Sequence, residues 1–522
     1  MRCEIVIENA LLADGSGGPA YLGSLGLRDG RIAEVAEAPC RLQGEEVIDA
    51  RGLVLAPGFV DVHSHGDFLP LLGEEYRYSR LKQGITTELV GQCGISALPH
   101  YPETMWEYRE YAAPVLGSPA EGWNFTGLLD YEALIRGRMP HNMAFLCGLG
   151  ALRAGISGLS SRALTDGEIQ EMARRYEQEL EAGAFGLSLG LSYLPGVFAR
   201  EEELLALGAV TAHHGALIMA HVRSHGKDML EAMEELVSIS RKTGARIHVS
   251  HARSYQNKDF GVAWEEIVAF GERVREEGVP LTMDQHPYTA GSTFLNQLLP
   301  PAYRRLECLT DKALLREVES AVMDPGYAPA GWDNFIRMVG YGNILVPTRG
   351  GTLEDLAKKE GVPPFQMLAE ILIQEEMNAP MVVREMFSLE DAASLLRAPY
   401  TYVGSDGLPA GIPHPRLYGA FPKILGEYVR EQGILTLEEA IAKMAGGAAL
   451  LGLSDRGLLR PGYIADLVLF DPRAIGHKEA YGVMGEAPEG IAGVWLGGRL
   501  AYDGKNVLGD LGMVLRRKED AS

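Results

Sequence analysis

Short apolar runs alternate with longer amphipathic stretches over most of the 522-residue chain. Eight such runs follow one another along the chain, and the first begins at residue 58. Several of the stretches between them have helical periodicity. The runs are GFVDVHSHG, TTELVGQCG, MAFLCGLG, FGLSLGLSY, ALIMAHVRSHG, RIHVSHARS, LTMDQHPYT and YTYVGSDG. Buried strands that alternate with helices are typical of βα units and a parallel sheet. Eight units predict an α/β protein with a closed, TIM-like (β/α)8 barrel. An open doubly wound sheet is the alternative, although the sequence lacks the Gly-x-Gly-x-x-Gly turn of that fold.

Three of the intervening stretches carry clear helix signals. The helix predicted over 165–183 starts with Thr165 and Glu168 at the spacing of a capping box. Helices are also predicted over 227–243 and 261–278. These helices support the βα interpretation of the runs that flank them.

Three segments differ from the barrel pattern. Residues 1–56 and 455–522 consist of short β-like segments joined by Gly and Asp turns, so we predict a small β-sandwich domain built from both chain ends. The barrel domain would then span 57–454. The interval 289–400, between the seventh and eighth runs, is much longer than a βα loop. Part of it, about 290–349, is predicted to form an inserted subdomain, either a lid over the barrel mouth or a peripheral unit with its own small core.

Composition narrows the function classes. The chain has 48 Lys and Arg against 70 Asp and Glu, a net charge of -22, and no basic stripe, which argues against nucleic-acid binding. Its five scattered cysteines are not a disulfide framework. Glu4 and Glu8 interrupt the apolar run that a signal peptide needs, and no segment has the length of a membrane helix. We therefore expect a cytoplasmic protein that acts on a small molecule, without a nucleic-acid or membrane partner; the sequence does not indicate an oligomeric state.

His63 and His65 stand one residue apart at the end of the first run. Residues at this spacing on a strand point to the same face, so the pair could bind a metal or could be two core histidines. In barrels of this kind, catalytic groups lie at the carboxyl ends of the strands. The groups with metal-ligand chemistry at run ends are His63, His65, Cys93, His221, His251 and Asp406. Imidazole and thiolate together favour zinc over magnesium or calcium.

Individual members of this set have structural alternatives. Cys93 alone fits a small buried hydrophobe, and Asp406 fits an Asp-Gly turn. His225 could replace His221 as a ligand. His248 is at an odd offset from the next histidine, so we expect it on the opposite strand face, toward the helices, in a structural role.

The motifs resemble a known family. DARGLVLAPGFVDVHSHGD and LTLEEAIAKMAGGAALLGLSDRGLLRPGYIADLVLFDP resemble the first-strand and closing segments of the amidohydrolase superfamily. LVGQCGIS, DQHPYTAGST, VGSDG and PHPRLYGAFPKILG are similar to motifs of the N-acyl-D-amino-acid deacylases, or D-aminoacylases. The resemblance covers most of the chain and is weakest over 290–400. It implies zinc-dependent hydrolysis of the amide bond of N-acyl-D-amino acids, with a carboxylate and a free D-amino acid as products.

The resemblance also implies roles for the candidate residues. Cys93 would take the bridging position that a carboxylated Lys has in many related enzymes. One tightly held zinc would be bound by Cys93, His221 and His251, and a second, looser ion would face His63, His65 and Asp406. Asp406 would act as general base toward water and then as general acid toward the leaving nitrogen.

The substrate carboxylate needs a charged or polar anchor. Candidates are Arg253, where family members often carry Lys, Tyr288 and Arg416, with a hydroxyl contact from Ser292. The alternatives are another amidohydrolase-type amide hydrolase, such as a dipeptidase or a cyclic-amide hydrolase, and a non-catalytic scaffold of the same fold. The run FGLSLGLSY offers no Lys to carboxylate, which argues against the cyclic-amide group.

Overall fold

The computed structural model describes residues 2–517, and its strands form three sheets. The first twelve strands are β1 (Arg2–Leu12), β2 (Tyr21–Arg28), β3 (Arg31–Glu37), β4 (Gln43–Asp49), β5 (Val54–Pro57), β6 (Phe59–Asp61), β7 (Ile85–Val90), β8 (Asn142–Gly148), β9 (Gly186–Gly190), β10 (Leu217–His221), β11 (Arg246–Val249) and β12 (Leu281–Gln285). The remaining strands are β13 (Gly291–Phe294), β14 (Ile344–Val346), β15 (Gly351–Thr352), β16 (Pro380–Val383), β17 (Thr401–Val403), β18 (Leu467–Phe470), β19 (Ile491–Leu496) and β20 (Arg499–Tyr502).

The α-helices fill the connections between these strands. They are α1 (Glu74–Arg77), α2 (Trp106–Leu116), α3 (Leu128–Ile135), α4 (Leu149–Ser157), α5 (Asp166–Glu181), α6 (Glu201–His213), α7 (Met229–Thr243), α8 (Trp264–Glu276), α9 (Glu307–Thr310), α10 (Lys312–Met323), α11 (Phe335–Val339), α12 (Leu353–Glu360), α13 (Pro364–Gln374), α14 (Leu389–Arg397), α15 (Arg416–Lys423), α16 (Leu437–Ala445) and α17 (Gly447–Leu450). The capping box of Thr165 and Glu168 at the start of α5 is confirmed. Within residues 2–517, no helix combines the length and the apolar character that crossing a bilayer requires.

Eight parallel strands form the predicted barrel, in the order β6 to β12 and then β17. Every residue of β7 and β8 is buried, because helices cover the outside of the sheet and side chains fill its interior. The ring closes between β17 and the residues after β6, where Asp406 N donates to His63 O at 2.8 Å. The (β/α)8 prediction is therefore confirmed, and the eight apolar runs are its strands.

Strands from both chain ends form the separate sheet. The first strand, β1, pairs with β2 on one side and with β4 and β5 in parallel on the other. The C-terminal strand β18 pairs antiparallel with β5. Because β5 leads directly into β6, this pairing fixes the sheet beside the start of the barrel. The domain limits 1–56, 57–454 and 455–522 stay predictions.

The insertion lies between β12 and β17 and contains a four-stranded sheet in the order β13-β16-β14-β15. It is longer than the predicted 290–349, because β16 returns at Pro380–Val383 to pair with β13. Helix α14 contacts β12 and β17 and therefore belongs to the barrel wall. The insertion has its own apolar core, and Phe335 from that core also faces the barrel mouth.

Candidate metal centre

The side chains predicted to bind metal come together at the carboxyl ends of the barrel strands. On one side, His65 Nε2 lies 3.3 Å from Asp406 Oδ1, and His63 Nε2 lies 3.7 Å from the same oxygen. Cys93 Sγ is 3.4 Å from His63 Nε2. The four groups are almost completely buried, which strengthens their electrostatic interactions.

A second set of imidazoles continues from the cysteine. His251 Nε2 lies 3.5 Å from Cys93 Sγ and 3.0 Å from His221 Nδ1. The ring of His225 lies beside both histidines, with centroid separations of 4.8 Å to His221 and 4.9 Å to His251. All six predicted ligands therefore belong to one cluster, and His225 extends it.

The ligand atoms form three overlapping triads, within each of which all atoms lie within 4.8 Å of one another. The triads are His63–His65–Asp406, His63–Cys93–His251 and His221–His225–His251. A mixed set of imidazole, thiol and carboxylate donors suits zinc, and the buried Nδ1 of His65 and Nε2 of His225 have no hydrogen-bond partner. The side chains therefore fit a metal ion. Cys93 lies between His63 and His251, whereas the sequence grouped it with His221 and His251, so which ligands share an ion stays a proposal.

Unusual backbone geometry directs three of these side chains into the barrel mouth. Cys93, His251 and Asp406 have φ angles of 53°, 33° and 51°, in the left-handed region that non-glycine residues rarely adopt. Such conformations persist where the surrounding structure determines them, and they cluster at functional sites. The turn that bears Cys93 also needs Gly190, because a Cβ there would lie 1.9 Å from Cys93 O.

Asp284, on β12, supports the cluster from below, and the sequence analysis did not identify it. His63 Nδ1 donates to Asp284 Oδ2 at 3.0 Å, and the backbone N–H of His251 donates to Asp284 Oδ1 at 2.8 Å. A carboxylate that accepts from the second ring nitrogen of a ligating histidine fixes the orientation of that ring. The one acidic residue in the run LTMDQHPYT was the available signal.

His248 does not point toward the helices as expected. Its Nε2 lies 2.9 Å from Asp284 Oδ2 and its Nδ1 lies 2.8 Å from Thr282 Oγ1, inside the barrel. The three-residue offset between His248 and His251 does not place them on opposite strand faces. Since β11 ends at Val249, His251 follows a turn, where the alternation of strand faces no longer applies.

Arg80 forms a second buried support. Its Nη2 donates to Ser64 Oγ at 2.9 Å and to Gly407 O at 3.1 Å, and so joins the segments that carry the first and last predicted ligands. Its Nε donates to Glu88 Oε2 at 3.2 Å, and His141 Nε2 lies 2.7 Å from Glu88 Oε1. Most of these contacts join residues distant in the sequence, which gave no indication of the network.

Burial sets the protonation of the imidazoles. Desolvation, followed by repulsion from neighbouring imidazoles, lowers the pKa of His221 and of His251 well below the usual value. Burial also acts to lower the pKa of His63, but the Asp284 carboxylate and the Cys93 sulfur outweigh it and hold that pKa well above its usual value. Two of the three rings are thus neutral near pH 7, the form in which imidazole binds a metal.

The pKa values of the thiol and of the carboxylate in the cluster shift in opposite directions. Burial raises the pKa of the Cys93 thiol, with partial compensation from His63. Burial disfavours ionised Asp406, but Arg416 and then His65 lower its pKa well below the usual value. Arg416 Nη1 lies 2.8 Å from Asp406 Oδ2, so this carboxylate is ionised.

The cluster faces a cavity of about 840 Å³, part of it open to solvent, between the barrel and the insertion. Two of the predicted substrate-binding residues, Ser292 and Arg416, line it. Arg416 Nη2 donates to Ser292 O at 3.0 Å, which places the guanidinium between that strand and Asp406. This geometry is compatible with carboxylate binding beside the cluster.

The structure does not bring Arg253 and Tyr288 to the cavity wall. Arg253 is fully buried behind it, where Nη1 donates to Tyr288 O at 2.9 Å and the guanidinium stacks on Phe387 at 4.2 Å. The Tyr288 hydroxyl points away and donates to Pro415 O at 3.4 Å. Their position next to strand ends was correct, but the turns rotate both side chains into the protein interior.

Comparisons with known proteins agree with the fold. A family model described as "Amidohydrolase family" matches residues 46–502. An N-acyl-D-aspartate deacylase from Alcaligenes xylosoxydans xylosoxydans is 34% identical over 97% of this chain and 93% of the relative, and a D-aminoacylase from the same organism is 31% identical over 98% of both. The crystal structure of N-acyl-D-glutamate deacylase from Bordetella bronchiseptica, complexed with zinc and a phosphonate inhibitor, superimposes with a TM-score of 0.82 at 31% identity, over 99% of this chain and 100% of the other.

The barrel, the cluster at its mouth and these matches define one class: the chain belongs to the amidohydrolase family. Within that family it groups with the N-acyl-D-amino-acid deacylases, which confirms the resemblance read from the motifs.

Proposed function

We propose that this protein is a zinc-dependent deacylase that hydrolyses the amide bond of N-acyl-D-amino acids to a carboxylate and a free D-amino acid. The observation that carries the proposal is the buried cluster of imidazole, thiol and carboxylate ligands beside a cavity whose wall contains Arg416. Full-length relatives that are N-acyl-D-amino-acid deacylases support it.

In this proposal Cys93, His221 and His251 hold the tighter zinc, and the position beside His63 and His65 is looser. Zinc, when bound, polarises the scissile carbonyl and lowers the pKa of a coordinated water toward about 7. The protein contributes imidazoles in fixed orientations, because Asp284 binds the second ring nitrogen of His63 and the Arg253 carbonyl binds that of His225.

Asp406 is proposed as the proton shuttle. Its Oδ1 faces His63 and His65, and it accepts the proton of the attacking water and later delivers it to the leaving nitrogen. Arg416 is proposed to bind the substrate α-carboxylate through a charge-assisted pair, with Ser292 beside it. Since Arg416 also contacts Asp406, a substrate held by this arginine has its amide next to the shuttle.

The cavity wall favours a neutral, apolar substrate side chain. Among the described residues that line it, Arg416 is the one guanidinium or ammonium group, and the α-carboxylate engages it. The apolar wall consists of Ile95, Val115, Phe335, Val383, Met386, Phe387 and Leu408. A carboxylate side chain would be desolvated there without a cation, which is unfavourable. We therefore propose D-methionine- or D-leucine-like substrates, although two of the relatives are named for aspartate and glutamate.

The test is amine release from paired N-acetyl-D- and N-acetyl-L-amino acids with methionine, leucine, aspartate and glutamate side chains. Each is assayed as purified, after chelation and after zinc is restored. Zinc-dependent turnover of the D substrates alone, best with methionine or leucine, is expected. Turnover of L substrates or of a dihydropyrimidine instead would overturn the deacylase proposal, and preference for D-aspartate would overturn the assignment of the side-chain pocket.

A further inference from the structure

His225 follows β10 in the sequence HVRSHG and is 6% exposed. It lines the cavity, and its ring packs against the rings of His221 and His251. A histidine buried this deeply needs hydrogen-bond partners for both ring nitrogens, or another reason for its position.

The two ring nitrogens of His225 have different surroundings. The Nδ1 lies 3.2 Å from Arg253 O, so Nδ1 carries the proton and donates it to this carbonyl. The Nε2 is buried and has no partner in the described part of the chain. A ring that donates one N–H to a carbonyl and presents the other nitrogen as a lone pair is the arrangement typical of a metal-ligating histidine.

The His225 ring also brings a nitrogen close to two other candidate ligand atoms. His225 Nε2 or Nδ1, His221 Nδ1 or Nε2, and His251 Nε2 or Nδ1 supply a set of three nitrogens, one from each ring, within 4.8 Å of one another. Three ring nitrogens that converge repel one another through their lone pairs unless a proton or a cation lies between them.

The backbone of His225 is held independently of its ring. Its N–H donates to Asp333 Oδ2 at 2.9 Å, and Ser224 Oγ donates to Asp333 Oδ1 at 2.8 Å. Tyr255 Oη donates to the same carboxylate at 2.7 Å. Because Asp333 belongs to the insertion, the docked insertion fixes where the His225 ring is presented.

We propose that His225 is a metal ligand, and that His221, His225 and His251 form a three-imidazole position for a zinc-class divalent ion. This inference rests on the proposed function only in placing the ion at the same centre. Three imidazoles are an established zinc ligand set that leaves a fourth position open, and they also suit cobalt.

The experiment uses the full chain with His225→Gln, because glutamine can still donate to Arg253 O but offers no imidazole. The matched control is His100→Gln, since His100 is also buried and its Nδ1 lies 2.8 Å from Phe125 O, outside the three triads. Zinc affinity is measured by competition with a chromophoric chelator, and the visible absorption spectrum is recorded for the cobalt-substituted proteins. Neither readout requires turnover.

We expect His225→Gln to weaken zinc binding by more than about 10-fold and to change the cobalt spectrum. Mutation of a residue that only hydrogen-bonds to a metal ligand already lowers metal affinity by about 10-fold or more, and loss of a ligand itself should cost more. His100→Gln should change neither. Unaltered zinc affinity and an unaltered cobalt spectrum in His225→Gln would overturn the proposal. In that case a raised KM alone would make His225 a substrate contact, and a lowered melting temperature alone would make it a structural residue. Zinc binding that depends on His225 in a protein without deacylase activity would overturn the proposed function and leave this ligand assignment intact.

Discussion

Two halves of the metal centre are held in place by different parts of the molecule. The first half, His63, His65 and Asp406, follows β6 and β17 and rests on charged residues inside the barrel. Asp284 orients the His63 ring, and Arg80 joins the two segments through Ser64 and Gly407. All of these supports come from the barrel and its connecting loops.

The second half, His221, His225 and His251, follows β10 and β11 and depends on the insertion as well. Asp333 accepts hydrogen bonds from the His225 backbone and from Ser224 and Tyr255. The difference is that Asp284 and Arg80 hold the first half from within the barrel, whereas Asp333 of the insertion adds direct hydrogen bonds to the backbone of the second half. Substitutions at the two sets of supports should therefore have separable effects.

Cys93 lies between the halves, so its removal should have the largest effect. In Cys93→Ala we expect the tighter zinc to be lost and kcat/KM to fall by more than about 100-fold, since even partners of ligands cost 10–100-fold. Zinc per chain after gel filtration and the turnover of an N-acetyl-D-amino acid provide the measurement. Full zinc content and activity in this variant would remove the basis of the site.

Asp284→Asn tests the support from the barrel, which holds the His63 ring of the first half and also the backbone of His251. The amide cannot supply the negative charge that holds His63 and His248, so we expect zinc affinity or activity to fall by about 10–100-fold. Thr282→Val is the matched control, because it removes the contacts of the Thr282 hydroxyl with His248 and with Ile247 O and leaves those of His63 in place. If the control were as damaging as Asp284→Asn, the effect would come from His248 and the proposed role of Asp284 would be wrong.

Asp333→Asn tests the support of the second half and should have a smaller effect. Loss of the charge-assisted hydrogen bonds should weaken insertion docking by about 1.5–3 kcal/mol. We expect faster proteolysis within 291–383 and a lower kcat/KM, with zinc binding at the first half unchanged. Equal weakening of both halves would contradict the comparison.

Glu179 provides a buried carboxylate outside both halves. It accepts the Leu128 backbone N–H at 2.8 Å and has no cationic partner among residues 2–517, and burial, followed by repulsion from Asp130, raises its pKa to about 7. Asp284 is also buried, but burial is outweighed by His63 and His248, which lower its pKa. The pKa values of the two buried carboxylates thus differ because Asp284 has charged partners and not because of burial alone.

Because the folded-state pKa of Glu179 lies above its usual 4.5, this group makes the free energy of unfolding fall as pH rises from about 4.5 to about 7. Glu179→Gln keeps an acceptor for Leu128 and cannot ionise. We expect the free energy of unfolding of Glu179→Gln, relative to that of the wild type, to increase by about 1–3 kcal/mol when the pH is raised from about 5 to about 8. Denaturant midpoints at both pH values provide the measurement. An equal change at both pH values would show that Glu179 ionises normally in the folded chain.

The sequence by itself determined the barrel and the identity of the central groups. Apolar runs of strand length and the residue that ends each run are local properties, so eight strands and the six residues from His63 to Asp406 could be read in chain order. The motif resemblance then led to the family that the comparisons confirmed.

Only the tertiary structure decided which residues support and extend the site. Asp284, Arg80 and Asp333 act through partners distant in the sequence, which become neighbours when the barrel closes and the insertion docks. Turns after the strand ends also rotate side chains in ways that strand periodicity cannot predict: Arg253 and Tyr288 turn into the interior, while His225 turns toward the proposed ligands His221 and His251. The physical reason is that residue chemistry is local, whereas the direction of a side chain past the end of a strand depends on the backbone of the turn and on the elements packed around it.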